Sequence, residues 1–276
     1  MQWLQKIRQL PYLSLSYLFL IVIIALFAEW IAPGNPNLQN LREAQMPPSA
    51  GHLLGTDHLG RDVLSRIIFG ARISLVVGVA AVAVAAVVGV FLGVTSVMVP
   101  RWLGDAIMRL TDIFLALPAV LIALAVAATV GPSLINVILI IGLVYWAQFA
   151  RLVRGEALSV RERDYVLAAR VIGSPVLRTI RRHILPNVLN TIIVMITLQL
   201  ASAILLESIL SFLGIGIPQP TASWGNMVAD GRPYIAFSWW IVTLPGVAIM
   251  LTVFSVNLCG DWLRDRLDPK LRTTQF

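Results

Sequence analysis

The sequence predicts an all-helical, polytopic membrane protein with six transmembrane helices, and three observations support this fold class. Of its 276 residues, 58% are hydrophobic and 13% are charged, and the mean hydropathy of +0.84 is far above that of soluble domains. Charged residues delimit long apolar runs, as expected when a charge at the bilayer centre costs about 2.5 to 3.5 kcal/mol. Finally, most Lys and Arg residues lie in alternate connecting segments.

The first apolar run, 9–28, is long enough to cross a hydrocarbon core of about 30 Å, which needs roughly 20 helical residues. A cleaved signal peptide is the alternative, but no small-x-small cleavage site follows the run. The run 113–150 is too long for one helix and is interrupted by "GPS" at 131–133, so it predicts two spans. The six predicted spans therefore lie at 9–28, 73–99, 113–130, 134–150, 184–206 and within 233–260.

These spans divide the chain into four parts. We expect an N-terminal segment with the first span (1–50), an extracytoplasmic amphipathic segment (51–72), a core with spans two to six (73–258) and a tail (259–276). With both termini inside, 16 of the 21 Lys and Arg residues fall on the inner side. Cationic loops are retained in the cytoplasm, so both termini and the loop 151–187 are predicted to be cytoplasmic.

Eight arginines lie in the loop 151–187, which also carries ordered helix signals. Asp164 can cap a short helix that ends at Gly173 in a left-handed conformation. Ser174 and Pro175 can start a second short helix, which we expect to end at Pro186. Such a pair of helices could form a knob for a cytoplasmic partner. The alternative is a topology signal whose arginines hold the loop inside and contact anionic headgroups.

This loop resembles the cytoplasmic coupling loop of permease subunits in bacterial ATP-binding-cassette (ABC) importers. That pattern reads Glu-Ala-Ala, three residues, Gly, nine residues, Ile, one residue, Leu-Pro. The chain matches this pattern at Ala168, Ala169, Gly173, Leu185 and Pro186. It departs from the pattern at two positions, with Leu167 in place of Glu and His183 in place of Ile. The stretches "LLGTDHLGRDVLSRIIFGARISL", "LSFLGIGIPQPTASWGNM" and "NLCGDWLRDRLDPKL" resemble the C-type permease of the dipeptide, oligopeptide and nickel branch.

The resemblance implies a type I importer permease fold in the bacterial inner membrane. It also implies three kinds of protein partner besides lipid: a second homologous permease, two ATPase subunits that bind ATP and Mg²⁺, and an extracytoplasmic solute-binding protein. The implied ATPase contact comprises Tyr165, Val166, Leu167, Ala168, Ala169, Arg170, Gly173, Ser174, Pro175, Arg178, Arg182, His183, Leu185 and Pro186. We expect Ala168, Ala169 and Gly173 to be buried in a groove of the ATPase.

The fifth span carries polar residues on one face at helical spacing. Such side chains either bond to neighbouring helices or face water, and for an isolated bundle the interhelical hydrogen bond is favoured. The resemblance implies instead that this face lines the translocation pathway. The face comprises Thr191, Met195, Gln199, Ser202 and Leu206. Glu207, at the outer end of the same helix, is expected to mark the membrane interface.

Two further segments predict local structure. In the second span, small residues recur every fourth position at Ala81, Ala85, Gly89 and Gly93, which predicts a close helix contact. Before that span, we expect a separate amphipathic helix, capped by Asp57 and braced by an Asp62–Arg66 pair. This helix could lie at the outer interface or be a solvated loop helix.

Several functional classes are disfavoured. Neither Lys6 nor Lys270 follows a glycine-rich turn, so no P-loop and no bound cofactor are expected in this chain. The spans contain no nucleophile with a base and no paired carboxylates, so the chain is not predicted to be an enzyme. A secondary transporter would more often show buried ionisable residues and an internal repeat. The net charge is +7, but the charged residues lie between apolar runs and not on one face of a folded domain. Nucleic-acid binding is therefore not expected.

The substrate is the least determined feature of the sequence. Dipeptides, oligopeptides and nickel or metal chelates all pass through permeases with these motifs. His52, His58 and His183 lack metal-ligand spacing, so no metal site is expected. Ligand chemistry therefore favours peptides, with nickel or a metal chelate as the alternative.

Overall fold

The computed structural model describes the backbone of residues 2–267 and the side chains of 11–169 and 171–267. The last nine residues of the predicted tail therefore lie outside the described residues. Every regular element within 2–267 is helical, which confirms the predicted fold class. The α-helices are α1 Gln2–Leu26, α2 Ala28–Ile31, α3 Val63–Met98, α4 Arg101–Ala116, α5 Ala119–Val130, α6 Leu134–Arg161, α7 Asp164–Val171, α8 Val176–Thr179, α9 Leu185–Phe212, α10 Trp224–Gly231 and α11 Trp240–Leu267. Single turns of 3₁₀-helix lie at Leu41–Glu43 and Arg232–Tyr234, and a π-helical turn lies at Ile180–Ile184.

Four helical stretches of the described chain are long and apolar enough to cross a membrane: α3, α6, the continuous segment 176–212 and α11. The pair α4 and α5 meets the same test only when taken together, and the apolar part of α1, Pro11–Leu26, is shorter. The chain is therefore a multi-pass membrane protein. The count of six spans and the side on which the termini lie stay predictions.

The predicted third span is not a straight helix. It is broken between α4 and α5, whose axes meet at 93°. Pro118 causes the break, because proline lacks the N–H of a helical residue and disfavours helical geometry at the residue before it. Leu117 accordingly has an extended backbone, with φ −92° and ψ 139°. The predicted break between spans three and four is confirmed, since α6 starts after Ser133, whose side chain accepts from the N–H of Asn136 at 3.0 Å.

Helices α3 and α6 form the central pair, and the predicted small-residue stripe lies at their contact. Ala81, Ala85, Gly89 and Gly93 are all buried. A Cβ placed on Gly89 would lie 2.4 Å from both Cβ of Phe149 and the carbonyl oxygen of Trp146. The predicted close approach of two helices is confirmed.

The separate helix predicted before the second span does not form. Asp62, and not Asp57, caps α3, accepting from the N–H of Ser65 at 2.7 Å, and the helix then continues unbroken to Met98. Asp57 instead closes a tight turn by accepting from the N–H groups of Leu59 and Arg61, both at 2.9 Å. Either aspartate side chain can accept a hydrogen bond from the first turn of a helix. The apolar residues that follow fit a helix starting after either one, so the sequence did not show which aspartate is the cap.

Candidate functional site

The candidate coupling loop comprises α7, the turn at Gly173, and α8. Gly173 has φ +77°, so the predicted left-handed conformation is confirmed. The N–H of Ser174 donates to the carbonyl oxygen of Ala169 at 3.0 Å, a bond that closes helix ends of this kind. Asp164, predicted to cap this helix, is instead the first residue of α7, one position later than a cap.

The second helix of the loop differs from the prediction at both ends. Pro175 occupies the capping position, one residue later than expected, and no side chain caps α8. The helix does not end at Pro186, which lies in the first turn of α9. A π-helical turn joins the two helices, with the N–H of Leu185 donating to the carbonyl oxygen of Ile180. Because the first turn of a helix leaves N–H groups unpaired, Pro186 can occupy it without breaking the segment.

The inner side of the loop is anchored in a hydrophobic cluster, here called the coupling cluster. Val166 of α7 and Ile184 of the π-helical turn are fully buried in it, and Leu185 packs against it. The rings of Tyr165 and His183, with centroids 5.8 Å apart, add a contact between α7 and the π-helical turn. The other buried members of the coupling cluster are Val94 and Val97 from α3, Val153, Ala157 and Val160 from α6, and Val188 and Ile192 from α9.

The outer side of the loop is apolar and exposed. Val171 is 88% and Ile172 82% exposed, and Leu177 across the turn is also exposed. Arg178 and Arg182, which follow in the chain, are exposed, as is Leu167 at the position where the family pattern has Glu. A group of exposed apolar side chains on such a turn is typical of a surface that a partner covers.

The small residues of the loop separate into two groups. Ala168 and Gly173 are exposed, as the predicted ATPase contact requires. Ala169 is only 8% exposed because it faces this chain's own helices. Pro175 is exposed and Ser174 half-buried, while the side chain of Arg170 lies outside the described residues.

A half-open cleft of about 280 Å³ lies between the loop and the end of α3. Arg161 crosses one side of it, where its Nη1 donates to the carbonyl oxygen of Val97 at 2.8 Å. The loop predicted to start at residue 151 therefore starts later, because α6 continues to Arg161, and this arginine satisfies a helix carbonyl within the chain. The cleft is lined by Val97, Met98, Val99, Arg161, Ser174, Val176 and Thr179.

Part of the predicted pathway face on α9 lies against α6. Gln199 is buried, and its Nε2 donates to Oε1 of Gln148, while Tyr145 donates to the carbonyl oxygen of Ser202 at 3.2 Å. The interhelical hydrogen bond considered as an alternative therefore exists at Gln199. Thr191 is half-buried, and Met195 packs against a second hydrophobic cluster, here called the central cluster. Its buried members include Val77 and Ala81 of α3, Ala123 and Ala127 of α5, Ile141 and Phe149 of α6, and Leu206 and Leu210 of α9. That this face lines a pathway stays a prediction.

Glu207 is fully buried among the helices, and its place at the depth of the membrane interface stays a prediction. Its Oε1 accepts from the hydroxyl of Ser211 at 2.8 Å, and its Oε2 accepts from Ser74 of α3 at 3.4 Å. Ser208 adds a longer bond of 3.5 Å. The serines at one and four residues after Glu207 were visible in the sequence, but only the fold brings Ser74 to the carboxylate.

A buried charge network, missed in the sequence, lies at the end of α3 remote from the coupling loop. Arg61 is 1% exposed and contacts Asp57 through Nε–Oδ2 at 2.6 Å and Asp230 of α10 through Nη2–Oδ2 at 3.4 Å. Arg66 lies 3.6 Å from Asp57 and 3.8 Å from Asp230. The predicted Asp62–Arg66 pair is therefore wrong. Asp62 instead contacts His52, with Nδ1 and Oδ1 3.0 Å apart.

The comparisons with known proteins agree with this architecture. The family model described as "Binding-protein-dependent transport system inner membrane component" matches residues 85–273. The di/tripeptide transport system permease protein DppC of Pseudomonas aeruginosa is 46% identical over 265 residues, covering 94% of this chain and 88% of that protein. The probable D,D-dipeptide transport system permease protein DdpC of Escherichia coli is 41% identical over 268 residues, with coverages of 97% and 90%.

Two solved structures share the fold. An inward-facing MetNI methionine ABC transporter matches with a TM-score of 0.61 at 15% identity, covering 74% of this chain and 96% of that chain. An amino acid ABC transporter with histidines matches with a TM-score of 0.57 at 13% identity, with coverages of 73% and 94%. At these identities the likeness concerns the fold alone.

The family model and these relatives identify the multi-pass helical bundle, with its ordered loop between α6 and α9, as an importer permease. The chain belongs to the family of binding-protein-dependent transport system inner membrane components, and it is the transmembrane permease subunit of an ABC importer. The family resemblance seen in the sequence is confirmed.

Proposed function

We propose that this chain forms half of the translocation pathway for peptides in the bacterial inner membrane. A second, homologous permease would supply the other half. The relatives named for peptide transport align over nearly the whole chain, which supports peptides over the alternative of nickel or a metal chelate. Three histidines and one cysteine in the full chain offer few of the nitrogen and sulfur ligands that nickel prefers, which supports the same choice.

The coupling role is supported by the difference between the two sides of the loop. Its apolar tip at Val171 and Ile172 is exposed, whereas its base is buried in the coupling cluster shared by α3, α6 and α9. A partner that binds the tip can therefore displace α3, α6 and α9 together. This arrangement suits a lever between an ATPase and a helical bundle, and it is more than a topology signal requires.

The mechanism follows from that lever. Two partner ATPases bind ATP and Mg²⁺, close on each other, and move the coupling loops of the two permeases. The bundle then changes between two states that expose the pathway to opposite sides, and each state is favoured by a different state of the partners. An extracytoplasmic binding protein delivers the peptide, and both termini of this chain lie in the cytoplasm.

The test is reconstitution in liposomes with the second permease, both ATPases and the cognate binding protein. Uptake of a labelled dipeptide and of a nickel chelate is measured with and without ATP. We expect ATP-dependent uptake of the dipeptide, lost when any one subunit is omitted. Uptake of the chelate alone would transfer the proposal to nickel, and uptake by this chain alone on an ion gradient would favour a stand-alone secondary transporter.

A further inference from the structure

Helix α4 rests on α6 along most of its length. The rings of Phe114 and Trp146 meet edge to face, with centroids 5.3 Å apart. This geometry contributes beyond the buried area alone. The apolar contact consists of Met108, Phe114 and Leu115 from α4 and Trp146, Ala147 and Ala150 from α6.

Two arginines of α6 extend this contact along the polar edge of α4. Arg154 donates through Nη1 to the carbonyl oxygen of Gly104 at 2.8 Å and through Nη2 to Oδ1 of Asp105 at 3.1 Å. Arg151 forms an ion pair with Asp112, about two turns further along α4. The two arginines of α6 thus bind α4 near both of its ends.

The first turn of α4 is also held from the side of α3. A Cβ placed on Gly104 would lie 2.2 Å from the carbonyl oxygen of Ser96. Gly104 therefore lies between the end of α3 and the guanidinium of Arg154. The Arg151–Asp112 pair, whose side chains are 56% and 59% exposed, contributes little by itself, whereas Arg154 is only 22% exposed and has a backbone acceptor as well as a carboxylate.

Helix α6 connects this contact to the coupling loop. The same uninterrupted helix that carries Arg151 and Arg154 also carries Val153, Ala157 and Val160 of the coupling cluster, in which Val166 of the loop is buried. A displacement of the loop therefore acts directly on the part of α6 that holds α4.

Helix α4 in turn leads into the bent span. After the 93° bend at Leu117 and Pro118, α5 buries Ala123 and Ala127 in the central cluster together with residues of α6 and α9. An extended Leu117 followed by a proline provides a joint that lacks helical hydrogen bonds. A shift of α4 can therefore change the position of α5 within the bundle.

We propose that Arg151 and Arg154 are positioning residues that make α4 move with α6 as one body, so that displacement of the coupling loop reaches α5 through the bend at Pro118. This inference rests on the proposed function, because it assumes that the loop is displaced by an ATPase. It assigns part of the arginine-rich stretch to a link within the chain, besides retention of the loop and contact with the partner.

The first experiment measures substrate uptake per ATP hydrolysed in the reconstituted complex. We expect Arg154→Gln and Arg151→Asp each to lower this ratio by about two- to thirty-fold, the range of coupling effects for such networks, with the ATPase still bound. Arg151→Asp combined with Asp112→Arg should restore it. The matched control is Arg109→Gln, which removes an exposed arginine of α4 that has no ion pair within the described residues.

The second experiment replaces the ion pair by a covalent link. A triple variant carries Asp112→Cys, Arg151→Cys and Cys259→Ser. Its two new thiols are joined by a thiol-reactive cross-linker that contains a reducible disulfide. We expect the ratio to be low before linking, to rise on linking and to fall again on reduction. A link that blocks uptake would show that α4 and α6 move relative to each other, which would overturn the inference.

The outcomes separate this inference from the proposed function. A wild-type complex without ATP-dependent uptake would contradict the proposed function. A wild-type complex that transports, with Arg154→Gln and Arg151→Asp variants whose ratios equal that of wild type, would overturn only the role of the two arginines. If Arg151→Asp combined with Asp112→Arg fails to restore uptake per ATP hydrolysed, the role of the Arg151–Asp112 pair is overturned.

Discussion

At the scale of single residues, Gly173 shows how backbone geometry alone can determine a site. A Cβ at this position would contact nothing within 4 Å, so a substitution costs only what its φ of +77° costs. We expect Gly173→Val to strain the turn by about 1 to 2 kcal/mol, and Gly173→Asn by less, because asparagine tolerates this region. Neither change alters a span or a topogenic charge, so membrane insertion should be unchanged.

The consequence should appear in coupling. In the reconstituted complex, Gly173→Val is expected to release the ATPase or to uncouple ATP hydrolysis from uptake. Gly173→Asn strains the turn less but also adds a side chain at the expected ATPase contact, so its effect should be smaller than that of valine. ATPase retention, ATP turnover and uptake are measured together. A valine variant equal to wild type in all three would show that the turn is not part of the lever.

His52 gives the loop before α3 a pH dependence. The hydrogen bond to Asp62, with a smaller contribution from Glu43, raises the pKa of His52 above its ordinary value of 6.5. The protonated form is therefore favoured in the folded protein. Its stabilisation is complete below the unfolded pKa and is lost as the pH rises through the higher folded value.

We expect wild type to exceed His52→Gln in stability at pH 5.5 by up to about 1 kcal/mol, and by less at pH 8.5. The thermal midpoints of both proteins in detergent, measured at the two pH values, check this. Glu43→Gln should reduce the difference but keep the contact with Asp62. An advantage of wild type that grows with pH would contradict the assignment.

At the scale of elements, the contact between α3 and α6 depends on the absence of side chains. Gly89→Ala would place a Cβ 2.4 Å from backbone and side-chain atoms of α6, so we expect a loss of about 1 to 3 kcal/mol from overpacking. Gly155→Ala is the matched control, because no atom lies within 4 Å of a Cβ at this other helical glycine. It should be neutral or stabilise by up to about 1 kcal/mol. Thermal unfolding in detergent measures both, and equal midpoints would contradict the close-approach explanation.

At the scale of the whole molecule, the buried charge network joins parts of the chain that are far apart in sequence. Arg61 links Asp57 to Asp230, and its removal would leave two carboxylates without their closest cation. We expect Arg61→Met to cost about 3 to 5 kcal/mol, since breaking a buried pair leaves charge uncompensated. Arg101→Met, which removes a fully exposed arginine paired only within α4, should cost less than about 1 kcal/mol. Chemical denaturation would measure the difference, and similar costs for the two variants would show that the network is not a stabilising link.

The sequence by itself determined what local rules control. Hydropathy and charge placed the apolar helices, Gly173 required a left-handed turn, and the small residues from Ala81 to Gly93 predicted the contact between α3 and α6. These features depend on residues close to one another in the chain, on the cost of charge in lipid and on side-chain size. The predicted break at 131–133 belongs to the same group.

Only the tertiary structure decided which distant groups meet. Glu207 is buried where Ser74 of another helix donates to its carboxylate, and Arg66 faces Asp57 and Asp230 instead of the nearby Asp62. Arg151, Arg154 and Arg161 look like loop charges in the sequence, yet α6 continues through them and they bond to α4 and α3. A charged or polar side chain has several acceptable partners within reach of its local sequence, and the packing of the helices selects one of them.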